Sequence, residues 1–196
     1  MSKKIEFFFD VGSPTAFLAD GQLRKLAEKY AAELVYEPML LGAVHQASKN
    51  MSPALIPAKG KYMAEHDLPR FIQRYGCEFN MNPHFPINTL TLMRGCYAAK
   101  VMDIFEPYLT VIFNGMWVKG LNLADETVLL AELTGAGIDG HKLLSLTSQE
   151  TIKDLLKENT GRAIEKGVFG APTMFIGKQM YFGQDRLDFI EQELMR

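Results

Sequence analysis

The two ends of this chain carry short strand-like runs, and the long stretch between them carries almost none. Near the start, Ile5 to Phe9 is apolar and rich in phenylalanine. Residues 14 to 31 then place Phe17, Leu23, Leu26, Ala27 and Tyr30 at helical spacing, and Leu34 to Glu37 alternates before Pro38. A crossover of that length predicts a parallel βαβ unit, because a tight turn cannot join parallel neighbours. At the other end "PTMFIG" and "QMYFG" flank Gly177-Lys178 and predict a β-hairpin, followed by a helix over about 185 to 195.

The middle reads as helical. Residues 50–60 hold prolines and a glycine and are expected to be a loop with at most a short turn of helix. Helices are expected over 61–75, 88–103, 105–118 and 125–134, with a second loop at 76–88. Thr147 and Glu150 have capping-box spacing and are expected to start a helix carrying Ile152, Leu155, Leu156, Ala163 and Ile164. The run Gly135 to Gly140 spells GxGxxG but follows a helical segment, so it reads as a helix end with Asp139 capping the next helix. Two strands from each end make one four-stranded sheet with helices on both faces. That is an α/β, thioredoxin-like fold with a large all-helical insertion, which costs little extra loop-closure entropy. The expected division is 1–40 and 168–196 for the thioredoxin-like domain and 41–167 for the inserted helical domain.

Composition narrows the partners. A formal charge of −2 gives no basic field for nucleic acid, and no apolar run approaches the ~20 residues of a membrane span. Lys3 and Lys4 precede only a few apolar residues flanked by Glu6 and Asp10, unlike a secretory signal. Cys77 and Cys96 form no CxxC and read as inert thiols; His45, His66, His84 and His141 show no metal-ligand spacing. A soluble, cytoplasmic protein without a metal is expected, and the Asn50-Met51-Ser52 sequon is idle there.

Three places offer chemistry. Ser13-Pro14 follows the first strand and by itself reads as a helix start, with Ser as N-cap and Pro at the first helical position. That helix N-terminus also favours an anion, and Gly12 leaves the backbone open to approach. Ser13 has no nucleophile-elbow frame around it, so a hydroxyl that donates to another molecule's thiolate fits better than a serine nucleophile. Pro172 heads an apolar strand; a cis bond there leaves the Ala171 N–H and C=O free to pair with an extended peptide, while a plain edge-strand proline is the other reading. Gln184 or Asp185 either caps the last helix or presents that terminus to a ligand carboxylate.

Four segments, "FFFDVGSPTAFLA", "NMSPALIPAKGKYM", "IFNGMWVKGLNLADETVL" and "KGVFGAPTMFIGKQMYFGQDRL", together resemble the kappa-class glutathione transferases. Within the DsbA-like thioredoxin superfamily they are most similar to the bacterial 2-hydroxychromene-2-carboxylate isomerases. The resemblance implies bound glutathione, a homodimer and a small electrophilic or aromatic keto-acid substrate. On it, Ser13 hydrogen-bonds the glutathione sulfur and Ala171, before Pro172, pairs with the cysteinyl backbone. Asn50 and Lys59 contact the glycyl and backbone groups, and Gln184 and Asp185 hold the γ-glutamyl end. Gly12 and Thr15 depart from the bulkier or Ser/Tyr residues expected beside the Ser-Pro pair, a departure that falls on the electrophile pocket.

The implied reaction is a cis/trans isomerisation through transient addition of the thiolate, in aromatic hydrocarbon catabolism. A transferase or peroxide-reducing enzyme is the alternative, and a non-catalytic peptide-binding module a third. Lys59 and Arg94 are candidate partners for a substrate carboxylate. A free thiol titrates near 8.5, and lowering that by roughly 2 units takes about 2.7 kcal/mol of preference for the thiolate. A hydroxyl bond to a charged acceptor (~1.5–3 kcal/mol) with a helix N-terminus (~0.3–2 kcal/mol) covers it.

Overall fold

The computed structural model describes residues 3–196, so Met1 and Ser2 of the first expected segment lie outside the described residues. Strand β1 (Lys4–Phe9) is followed by α1 (Pro14–Lys29) and β2 (Glu33–Pro38), and β1 pairs with β2 in parallel. At the far end β3 (Thr173–Ile176) and β4 (Gln179–Phe182) form the hairpin, and α10 (Leu187–Met195) closes the described chain. β3 runs antiparallel to β1, giving one sheet in the order β2-β1-β3-β4. β3 is therefore an interior strand, and the edge-strand reading of Pro172 does not hold. Pro172 lies just ahead of the ladder, where no sheet bond needs its missing N–H.

Between β2 and β3 lie α2 (Leu41–Ala47), α3 (Pro57–Tyr62), α4 (Leu68–Tyr75), α5 (Leu90–Val101), α6 (Phe105–Trp117), α7 (Glu126–Gly135), α8 (Gly140–Thr147) and α9 (Glu150–Glu165). Two expectations fail locally. The helix expected from residue 61 begins at Pro57, and its path widens into a π-helical turn over Met63–Asp67 before α4. Pro69 has no N–H to donate back into the preceding turn, and the Leu68 N–H reaches Met63 O across the wider ring. The Thr147–Glu150 capping box is absent: Thr147 ends α8, its hydroxyl donates to Leu144 O at 2.7 Å, and Gln149 stands at the N-cap of α9 without a side-chain bond. Asp139 does cap α8, accepting from the Lys142 N–H at 2.9 Å.

β1 is buried on both faces, as an apolar central strand must be. Ile5, Phe7 and Phe9 enter the large core with Met93, Phe113 and Trp117 of the inserted helices, while Phe8 packs opposite them with Met39, Val44 and Phe175. One hydrophobic core thus runs from the sheet into the insertion. This continuity fixes the turn between β1 and α1.

Candidate active site

α1 starts as its sequence predicts. Ser13 is the N-cap, its hydroxyl accepts from the Ala16 N–H at 3.2 Å, and Pro14 occupies the first helical position. The turn ahead of it is secured from the insertion. Trp117 Nε1 donates to Val11 O at 2.8 Å, and the Val11 N–H lies 3.3 Å from Met93 Sδ. Asp10, buried, accepts the Gly12 N–H at 2.9 Å, the Leu41 N–H at 2.9 Å and the Thr89 hydroxyl at 3.1 Å. Burial pushes the Asp10 carboxyl above its ordinary range, against the pull of those three donors. Gly12 is required for a reason local sequence does not show. A Cβ there would stand 2.8 Å from Thr89 Cγ2, so part of the space left by glycine is taken by the insertion.

Ser13, itself buried, faces a cavity of about 680 Å³, within the ~300–1,000 Å³ range of small-molecule sites. Gly12, Ser13 and Thr15 form one wall, Gly170, Ala171 and Gln184 another, and the segment from Asn50 to Asp67 a third. The Ala171–Pro172 peptide is cis. Ala171 O accepts from the hydroxyls of Ser13 and Thr15, each at 3.2 Å, and those two oxygens are 3.0 Å apart.

Six of the residues singled out from sequence line this cavity: Ser13, Asn50, Lys59, Ala171, Gln184 and Asp185. Pro172 is buried behind it, its carbonyl accepting the Gly183 N–H at 2.9 Å. Gly183 has φ of +95°, a conformation L side chains rarely adopt, and it delivers Gln184 and Asp185 to the cavity. Neither residue caps α10, which has no side-chain cap; Asp185 is exposed and pairs with Arg186. Asn50 ties the third wall to the second, donating from Nδ2 to Phe169 O at 3.1 Å.

Of the two candidate cations, Lys59 lines the cavity and Arg94 does not; Arg94 is on α5 with its Nε buried and without a hydrogen-bond partner among the described residues. Arg186 lines the cavity instead, and the DRL triplet beside Asp185 was its only signal in sequence. His45 is a second residue that spacing could not reveal. It lines the same space, and burial holds its imidazole below its ordinary value, so it is largely neutral at neutral pH. Cys77 and Cys96 lie outside the lining, and burial raises both thiols above their ordinary range. No cluster of three or more His, Cys, Asp or Glu side chains suited to a metal ion, and no helix long and apolar enough to cross a membrane, occurs among the described residues.

The model of the DSBA-like thioredoxin domain family matches residues 4–195. A 2-hydroxychromene-2-carboxylate isomerase of Pseudomonas putida is 31% identical, over 98% of this chain and 94% of its own length. Glutathione S-transferase kappa 1 of Rattus norvegicus is 27% identical over 95% of this chain and 88% of its own. A solved 2-hydroxychromene-2-carboxylate isomerase superposes with a TM-score of 0.88 at 30% identity, covering 98% of this chain and 95% of the other.

Proposed function

This chain belongs to the DSBA-like thioredoxin domain family, as a full-length relative of the 2-hydroxychromene-2-carboxylate isomerases, and on that premise we propose that it is a glutathione-dependent isomerase of that type. The observation that carries the reading is Ser13. It is a serine at the N-terminus of α1, where thiol–disulfide enzymes of this fold hold a cysteine, and it opens onto a cavity that Lys59, Gln184, Asp185 and Arg186 also line. The electrostatics that stabilise a thiolate are retained and the chain's own redox thiol is not, so the sulfur is brought by a ligand.

Glutathione suits the donors present. Lys59 and Arg186 would meet its two carboxylates, Asp185 its α-amino group, and the Ala171 backbone its cysteinyl amide. When bound, glutathione supplies a nucleophilic thiol. The chain's part is then to hold that sulfur ionised with the Ser13 hydroxyl and the α1 terminus, and to hold the tripeptide's ends with Asn50, Lys59, Gln184 and Asp185. Leu55, Tyr62, Met63 and Phe85 line the rest of the cavity and offer apolar surface to an aromatic substrate. In this division of labour, residues 1–40 and 168–196 hold the thiol, and residues 41–167 shape the substrate pocket. By the same resemblance, the working form is a cytoplasmic homodimer, which sedimentation of the purified protein tests.

The decisive experiment follows the absorbance of 2-hydroxychromene-2-carboxylate with and without glutathione. Conversion that depends on glutathione without consuming it is expected; conversion at full rate with no thiol present overturns the reading. The full-length similarity to kappa-class transferases favours one second reading, transfer to an electrophile, in which glutathione is consumed one for one.

A further inference from the structure

The Ser13 hydroxyl has one proton and two lone pairs, so what it does for a sulfur depends on what else it is bonded to. One lone pair takes the Ala16 N–H. The other is free to accept an S–H from a neutral thiol, which stabilises the wrong protonation state. Thr15 stands where it removes that option. Its Oγ1 is 3.0 Å from Ser13 Oγ and 3.2 Å from Ala171 O, and it lines the same cavity.

We infer that Thr15 is a positioning residue that sets the direction of the Ser13 hydrogen bond. Both hydroxyls converge on the Ala171 carbonyl, each at 3.2 Å. A ligand amide N–H that takes Ala171 O displaces them. The Thr15 proton then turns to Ser13 Oγ, which now accepts from both Ala16 N–H and Thr15 O–H and has no lone pair left. Ser13 is reduced to a donor, and its proton goes to the sulfur. A chain of donors running Thr15 to Ser13 to thiolate also polarises each bond in it. Seating of the ligand backbone and ionisation of the ligand thiol are thereby linked through one carbonyl oxygen. The Thr15 hydroxyl does this without being the helix cap, so its removal does not take the cap away.

This inference rests on the reading that a thiol tripeptide occupies the cavity, and the test separates the two. The probe is glutathione itself, its thiolate followed by ultraviolet absorbance as the pH of the complex is varied, in wild type, Thr15→Val, Thr15→Ser and Ser13→Ala. S-methylglutathione, which has no thiol to ionise, reports binding alone. Thr15→Val keeps the side-chain shape and is expected to raise the bound thiol pKa by ~0.5 unit, with Thr15→Ser restoring it and S-methylglutathione binding unchanged. Ser13→Ala is expected to raise it by ~1–2 units. An unshifted thiol in Thr15→Val, or a shift matched by an equal loss of S-methylglutathione binding, overturns the directing role and leaves the site reading intact. A wild-type protein that neither binds S-methylglutathione nor lowers the thiol pKa overturns both.

Discussion

The cavity has one wall that is buried and pinned at several points and one that is largely exposed and tied mainly at Asn50. The β1–α1 turn is pinned by Trp117, Met93, Thr89 and the Leu41 amide, and Ser13 and Asp10 on it are buried. The segment from Asn50 to Asp67 facing it is a 3₁₀ turn, a six-residue helix and a π-helical turn, with Met51, Leu55 and Tyr62 more than half exposed. The first wall holds the Ser13 hydroxyl in a fixed place, and the proposed bond to a sulfur, made within hydrogen-bond tolerance, demands that rigidity. The second has few buried contacts, which gives it low local stability. On the proposed function, thiol activation and substrate choice are therefore separable, and mutations in the two walls should report different quantities.

The sharpest way to break the fastened wall is Asp10→Ala, which strips the acceptor from two backbone N–H groups and from Thr89. A loss of about 3 kcal/mol in urea unfolding is expected, since each orphaned buried donor costs ~1–3 kcal/mol. Asp10→Asn should cost less, and its cost should depend on pH. Burial raises the folded-state value of Asp10, so its contribution is full below the unfolded value near ~3.9 and fades as pH rises through the folded one. The stability gap between wild type and Asp10→Asn is expected to narrow from about pH 4 to neutral; a gap that widens would show that the three donors outweigh burial.

Trp117→Phe comes next. It keeps most of the ring and leaves Val11 O without its donor, for ~2 kcal/mol in the same assay. Because Val11 is two residues from Ser13, the bound thiol pKa should also rise in this variant. Ser13→Ala removes a cap worth about 1 kcal/mol, and the acid limb of the rate profile should move to higher pH because ionisation is delayed. Smallest is Tyr62→Ala on the loose wall: within ~0.5 kcal/mol in stability, a changed KM for substrate, and an unmoved thiol pKa. A shifted pKa there would show that the two walls are coupled.

What could be read in advance follows the range of the interactions. Strand β1, the Ser13 cap with Pro14 after it, the Gly177–Lys178 hairpin and the Asp139 cap all rest on neighbours within a few positions, and each is present in the structure. The Thr147 capping box had the right letters and failed because α8 continues through Thr147, so its hydroxyl bonds back into that helix. Asn50 and Lys59 were identified through likeness to a family, and by composition alone would have passed for a turn residue and a solvated side chain, whereas Gln184 and Asp185 were already legible as a helix cap or a carboxylate-binding terminus. His45 gave no usable pattern, and Arg186 gave only its place next to Asp185.

The amino-acid order alone determined the order of helices and strands, that the sheet is assembled from both ends of the chain, and that the α1 terminus offers a hydroxyl in place of a thiol. Only the tertiary structure decided that Thr89 packs over Gly12, that Trp117 and Met93 secure Val11, and that Thr15, Ser13 and Ala171 meet at one point. The partners in those contacts are 77 to 158 positions apart. Such pairs are selected by the packing of a shared core, and no local propensity encodes them.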